Sequence, residues 1–375
     1  MDYKTSYSTW AEIDLEAIRS NITKVRQATG VKVLAVVKAN AYGHGVLQVS
    51  KAALEGGAAW LGVALVDEAL EIRKAGITCP LLLLSYTPPD RIDEVVHQQV
   101  SLTIWTRTHL ALVAAAAEKL GMVAKVQLKV DTGMSRVGVQ VEDMLDLVEQ
   151  TIHTPQVHFE GLCTHFACAD EIDPVPTDWQ EQSLQQVLGL LRDHEWIPPL
   201  VHAANSATTL TRVVDHFNMV RVGVAMYGLQ PSHECRLPAE FHPALTWKTV
   251  LSHVKTLPPG RGVSYGHQYT TSRNERIGTI PLGYADGFRR ADGNVVLVCG
   301  KRVPVVGRVC MDQSMLQLDE VPEAQVGDEV VIVGQQGEQS ILAEDVGRVW
   351  GTINYEVVCG IGARVQRFYH DSAKV

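Results

Sequence analysis

The six residues Val33-Leu34-Ala35-Val36-Val37-Lys38 form the first of a series of short apolar runs, each followed by a stretch of helical periodicity. The series continues with Leu61–Val66, Leu81–Tyr86, Ser101–Trp105, Lys125–Val130, His158–His165, Pro199–Asn205 and Met219–Met226. Helical stretches between them include Asp67–Ala75, Thr108–Leu120 and Trp179–His194, the last two closed by a glycine or a histidine stop signal. Strands alternating with helices at this spacing imply parallel strands joined by crossovers. Eight of them is the count of a (β/α)8 barrel of the TIM type.

After Gly228 the texture changes. Leu229–Pro243 carries Pro231, Pro238 and Pro243 without periodicity and reads as a linker. Beyond it Ile277–Leu282, Val295–Cys299, Val303–Val309, Glu329–Val333 and Val357–Val365 are short, rich in Val and Ile, and separated by Gly, Pro and Asp turns. The reading is an α/β chain with a barrel over residues 1–243 and a mostly-β domain over 244–375. A length of 375 residues allows this, because a barrel absorbs about 250 residues and the remainder suits one further domain.

Composition narrows the function classes. With 33 Lys+Arg against 42 Asp+Glu, the formal charge of −9 gives no basic footprint for nucleic acid. The N-terminus lacks a cationic segment followed by an apolar run, and no apolar stretch approaches a membrane span. Seven cysteines without a CxxC pair argue for reduced thiols. A cytoplasmic protein is expected, with neither a membrane nor a nucleic-acid partner.

Barrel chemistry collects at the C-terminal ends of the strands. Alternation along the first strand puts Leu34, Val36 and Lys38 on one face. Facing inward, Lys38 would be a desolvated amine suited to imine formation; facing out, it would be a lysine snorkelling to solvent. On the fifth strand, Gln127, Lys129 and Asp131 share a face, and a buried lysine there calls for an internal ion pair or a chemical role. Cys163, His165 and Cys168 lack the regular spacing of a zinc site, so no metal is expected and His165 reads as a hydrogen-bond relay. The loops after strands seven and eight offer Asn205-Ser206-Ala207 and Arg221-Val222-Gly223-Val224, small and polar enough for phosphate. A mouth lysine beside a phosphate cradle points to pyridoxal phosphate.

Longer stretches are more specific. Ala35-Val36-Val37-Lys38-Ala39-Asn40-Ala41-Tyr42-Gly43-His44-Gly45 closely resembles the cofactor-attachment signature of the alanine racemases, the fold-type III pyridoxal phosphate enzymes. The likeness continues through Lys129–Arg136, His202–Ser206, Arg221–Gly228, Gly262–Gly266, Gly283–Gly287, Gly307–Gln313 and Asn354–Glu356. Val358 and Gln366 depart from it, standing where prolines are expected.

The resemblance implies a cytoplasmic homodimer with shared active sites that interconverts L- and D-alanine and supplies D-alanine for the cell wall. Lys38 and Tyr265, the latter from the partner subunit, would be the two bases, on opposite faces of the substrate. Tyr42, Ser206, Gly223, Val224 and Tyr355 would hold the phosphate, with Asn205 nearby. Arg136 would meet the cofactor's phenolic oxygen and the substrate carboxylate, and Met311 would offer that carboxylate its backbone amide. Arg221 would face the pyridine nitrogen and, always charged, keep it unprotonated. His165, Arg221, Asp312 and Lys129 would support the bases, Lys129 as a carbamate able to pair with Arg136. Asp170, Tyr284, Arg290 and Arg308 would line an entrance. The rivals are a serine or broader amino-acid racemase, a fold-type III decarboxylase, which the Gly262–Gly266 context disfavours, and a non-catalytic binder of the cofactor.

Overall fold

The computed structural model describes residues 7–212 and 217–371. The chain divides into two compact units. One comprises Ile18–Ala41 and Gly45–His242; the other joins the segment up to Ala17 and Tyr42–His44 to everything from Pro243 onward.

In the first unit, eight strands pair in the order Leu200–His202, Val157–Cys163, Ala124–Lys129, Ser101–Ile104, Leu81–Leu83, Trp60–Val63, Lys32–Val36 and Met219–Val222, every pairing parallel. The two ends of this order meet through Arg221 N to Ala204 O (2.9 Å) and Asn218 N to Val201 O (3.2 Å), which nearly closes the barrel. Tyr227 donates its hydroxyl to Val36 O at 2.9 Å and ties the last strand's sequel to the first strand. Leu34, Leu61, Leu82, Leu102, Val126, Leu162 and Val220 are fully buried, each burial worth about 1.5–3 kcal/mol. Each of the eight apolar runs contains a strand or most of one.

The helices follow ordinary rules. Arg107–Leu120 opens on Thr106, whose side chain accepts from His109 N, and stops at Gly121 in the left-handed conformation (φ 62). The long helix Val175–Asp193 starts four residues before Trp179, and it buries Thr177, Gln180, Leu184, Val187 and Leu191, a three-four spacing that gives one inward stripe. No helix among the described residues is long and apolar enough to cross a membrane.

The second unit is built on a sheet in which Leu245–Val250 pairs antiparallel with Glu329–Gln336 on one side and with Thr9–Asp14 on the other. Gln366–His370 runs parallel to Thr9–Asp14 at the sheet's edge. Trp10 and Trp247 are buried, and Trp247, Phe288 and Trp350 stack edge to face at 6.1–6.2 Å. Lys248 reaches Glu12 at 2.9 Å and Glu329 at 3.2 Å, crossing both strand pairings.

Two expectations need correction. The first residues do not go with the barrel: Thr9–Asp14 is a strand of the second unit, held by partners that lie some 240 residues onward, such as Thr9 opposite Thr249. Val357–Val365 is not a strand. Asn354–Cys359 is helical and the strand comes later, at Gln366–His370, because Asn354, Val357 and Val358 are buried at helical spacing rather than in alternation.

Candidate active site

The first barrel strand ends one residue before Val37, and Lys38 begins a turn of the wrong hand. Ala39, Asn40, Ala41 and Tyr42 all take positive φ of 51–54°. L-residues resist this region by roughly 1–2 kcal/mol each, so the surroundings must impose it. Glu68 receives Ala39 N at 2.6 Å while its other oxygen takes Ala64 N and Leu65 N, and Asn40 receives Val46 N at 2.8 Å. Gly43 (φ 81) ends the turn, where a Cβ would sit 2.2 Å from Val358 O. Sequence reasoning placed Lys38 at a strand end and missed this turn; the closely spaced Gly43 and Gly45 were its only signal.

Lys38 is half-buried and lies in a field of cations. His165 is pushed down to about 2 by burial first and then by Arg221, Lys129, Arg136 and Lys38, which places all four cations around one neutral imidazole. Lys129 is buried, and burial lowers its pKa, with Cys163, Arg221 and Arg136 as its strongest neighbours and Asp131 the weakest of those acting on it. Asp131 instead takes Gly133 N and Ser135 N, each at 3.0 Å. Among the described residues no salt bridge joins Lys129 to Asp131, so the internal ion pair is not how this lysine is accommodated.

Arg221 is buried among neutral acceptors. Its Nη1 donates to His202 Nδ1 (2.7 Å) and His202 O (2.9 Å); its Nη2 donates to Thr164 O (2.8 Å), His165 Nδ1 (3.0 Å) and Ala203 O (2.9 Å). Burial works against the charge, and these five acceptors stand in for water. The chain of contacts runs on: His202 Nε2 donates to Gln127 Oε1 at 2.7 Å, and Gln127 Nε2 donates to Glu160 Oε2 at 2.9 Å. His202 lies well below the usual histidine range, through burial first and then Arg221 and Lys129. Gln127 and Glu160 were not singled out from the sequence, although the polar face of Gln127 and Lys129 was visible there.

Beside Arg221, Ser206 Oγ accepts from Gly223 N at 3.1 Å and Ala225 N at 3.3 Å. Asn205 caps the helix Ser206–Thr211 by accepting from Thr208 N at 3.0 Å. A mouth with four cations, a hydroxyl tied to two backbone amides and few carboxylates fits a phosphorylated, aldehyde-bearing cofactor. Asp170 lies in the same unit, lining a cavity of about 390 Å3 with Cys168, Arg212 and Glu234.

In the second unit, Tyr42 and Tyr355 pack with ring centroids 6.1 Å apart, and burial drives the Tyr42 pKa upward, Cys359 adding to it. Tyr265 stands 69% exposed on a tight turn between Ser264 (φ 64) and Gly266 (φ 73). The turn is anchored by Ser264 Oγ, which donates to Arg308 O at 2.5 Å, and the Arg308 guanidinium lies against Gly266. Tyr284 N donates to Cys310 O and Ala285 N to Met311 O, so Tyr265, Tyr284, Arg308 and Met311 share one locally bonded assembly. Met311 and Tyr284 are exposed, as is Arg290. Asp312 is bound by Arg364 at 2.6 Å, which also holds the buried Asp286 at 2.7 Å.

Comparison with known proteins gives a consistent result. Residues 13–231 match the family model described as alanine racemase, N-terminal domain, and residues 244–369 match alanine racemase, C-terminal domain. An alanine racemase of Methanococcus maripaludis is 43% identical over 372 residues, spanning 97% of this chain and 99% of that one. The crystal structure of alanine racemase from the D-cycloserine producer Streptomyces lavendulae aligns with a TM-score of 0.93 at 40% identity, covering 98% of both chains. That of alanine racemase from Bacillus anthracis with bound L-Ala-P aligns at 0.92 with 41% identity, covering 98% of this chain and 96% of that one.

Proposed function

This chain belongs to the alanine racemase family, an isomerase of L- and D-alanine that uses pyridoxal phosphate, and within that activity we propose which of its residues carry each step. The observation that carries the assignment is a buried Arg221 bonded to His202 Nδ1 and His165 Nδ1 beside Ser206, whose hydroxyl is tied to Gly223 N and Ala225 N. When bound, the cofactor supplies an electron sink that makes the substrate's Cα–H acidic. Everything else falls to the side chains.

Lys38 would hold the cofactor through its aldehyde and would move the proton on the face that D-alanine presents. The opposite face needs a second base, since one group cannot remove a proton from one side and return it to the other without moving. Tyr265 of a second copy of the chain fills that role; its exposure on an anchored turn suits a side chain offered outward. Ser206, with the amides of Gly223 and Val224, takes phosphate oxygens, and Tyr42 and Tyr355 are assigned to the same group by their motifs. Arg221, a donor without a proton to give, is the partner for the ring nitrogen. Arg136 and the Met311 amide orient the substrate carboxylate. Lys129, buried beside two arginines, is relieved of like-charge repulsion if carbon dioxide converts it to a carbamate.

The protein is accordingly a cytoplasmic homodimer with shared sites, supplying D-alanine for the cell wall. Incubation with L-alanine, L-serine and L-lysine followed by chiral chromatography tests the substrate: D-alanine in excess is expected, D-serine in excess would transfer the assignment to a serine racemase, and no D-product would leave a cofactor carrier.

A further inference from the structure

Gln127 and Glu160 are given no task by the reaction, yet they terminate a buried polar chain that starts at Arg221. We propose that Glu160 is a positioning residue for Arg221: by accepting from Gln127 it fixes the direction of the chain Gln127–His202–Arg221, so that a bare imidazole nitrogen always faces the guanidinium. The proposal rests on the reading of Arg221 as the partner of the cofactor's ring nitrogen.

The argument turns on which members of the chain have a choice. A side-chain amide can turn over, exchanging its oxygen and nitrogen with little change of shape, and a neutral imidazole carries its proton on either nitrogen. The ends have none, because an ionised carboxylate only accepts and a guanidinium only donates. Glu160 Oε2, 2.9 Å from Gln127 Nε2, draws the amide NH2 to itself. The amide oxygen is thereby turned to His202 and takes its Nε2 proton at 2.7 Å, leaving Nδ1 as a lone pair 2.7 Å from Arg221 Nη1.

Without an acceptor at position 160 this consistency fails. If Gln127 keeps its oxygen on His202, its NH2 is buried with nothing to receive it; if it turns over, both nitrogens of His202 face donors. A neutral imidazole has one lone pair, so one link is lost, and the link to Arg221 is among those at risk. Gln127 and His202 are fully buried, so water does not readily repair the fault. Burial also holds His202 far from the cationic form.

The test compares Glu160→Leu, which removes the acceptor, with Glu160→Gln, which restores an acceptor oxygen. Nitrogen-15 spectra of His202 in the cofactor-loaded protein report which ring nitrogen bears the proton. Wild type and Glu160→Gln should show one tautomer with Nε2 protonated; Glu160→Leu should show shifts averaged between the two. In the same series kcat falls about tenfold in Glu160→Leu with KM unchanged, the worth of one charge-assisted hydrogen bond, and recovers in Glu160→Gln. Unaltered His202 shifts in Glu160→Leu would mean that Arg221 alone sets the tautomer and would overturn the proposal, as would equal losses in both variants. If Glu160→Leu does not fold, Gln127→Leu must show the same averaging. The tautomer is read in the resting protein, so a failure of the racemase assignment in the chiral assay would be seen separately.

Discussion

The mouth of the barrel and the turn that carries Tyr265 solve opposite problems. At the mouth, polar groups are withdrawn from water and fixed by buried partners: Arg221 alone makes five hydrogen bonds, and burial, with the charged groups around it, keeps His165 neutral. On the second unit, Tyr265, Tyr284 and Met311 are exposed, and only the backbone beneath them is fixed. In the proposed function the mouth tunes its chemistry within one chain, whereas the exposed phenol would acquire a reacting partner by association. That difference is what subunit mixing and single replacements can break.

The largest effect belongs to the mouth. Lys38→Ala should lower kcat/KM by roughly 10^4-fold or more, through loss of both a base and the covalent attachment. The purified protein should also lose its absorbance near ~420 nm, and borohydride should no longer label the barrel. Retention of either property would remove the cofactor from this mouth.

Tyr265→Phe comes next. Exchange of the α-proton of L-alanine should fall about 10^2- to 10^3-fold and that of D-alanine much less; equal losses would contradict the assignment of faces. Co-expressing Lys38→Ala with Tyr265→Phe sharpens the contrast. If the two bases come from different copies, mixed dimers hold one site with both bases intact, and activity absent from either variant returns. No recovery would put both bases of a site on one chain.

A smaller effect is expected from pH. His165 and His202 have pKa values far below their unfolded values, so in acid the unfolded chain binds protons that the folded one refuses. Stability should be complete above about pH 7 and fall as pH drops below about 6.5, by up to about 1.4 kcal/mol per pH unit for a fully buried histidine. Denaturant unfolding between pH 7 and pH 4 measures the slope, and replacing His202 with glutamine should flatten it. The smallest change is Ser206→Ala. It leaves Gly223 N and Ala225 N without their shared acceptor and should weaken cofactor binding by about 1–2 kcal/mol, read by equilibrium dialysis, while folding stays intact.

What the sequence revealed follows the same division. The barrel strands were legible because strands buried on both faces read as unbroken apolar runs, and Lys38 stood out as a charge closing such a run. Thr9–Asp14 was not, since nothing local distinguishes a strand whose partners are Thr246–Thr249 and Gln366–His370. Val357–Val365 misled because a short apolar stretch fits either period. At the site, residues acting through their own loop could be singled out from the sequence, as the runs around Lys38 and Ser206 were. His202, Gln127 and Glu160 acquire their meaning only when strands some 30 to 75 residues apart meet, as the separations of 33 and 75 in their hydrogen bonds record.

The turn from Lys38 to Tyr42 has a stereochemical consequence of its own. Its φ values of 51–54° are close to the mirror image of those natural to an L-residue in a helix. A semisynthetic chain with D-alanine at the exposed position of Ala39 would enter this turn without the roughly 1–2 kcal/mol that the L-residue costs. The backbone beside Lys38 is one that D-alanine would build more easily than L-alanine.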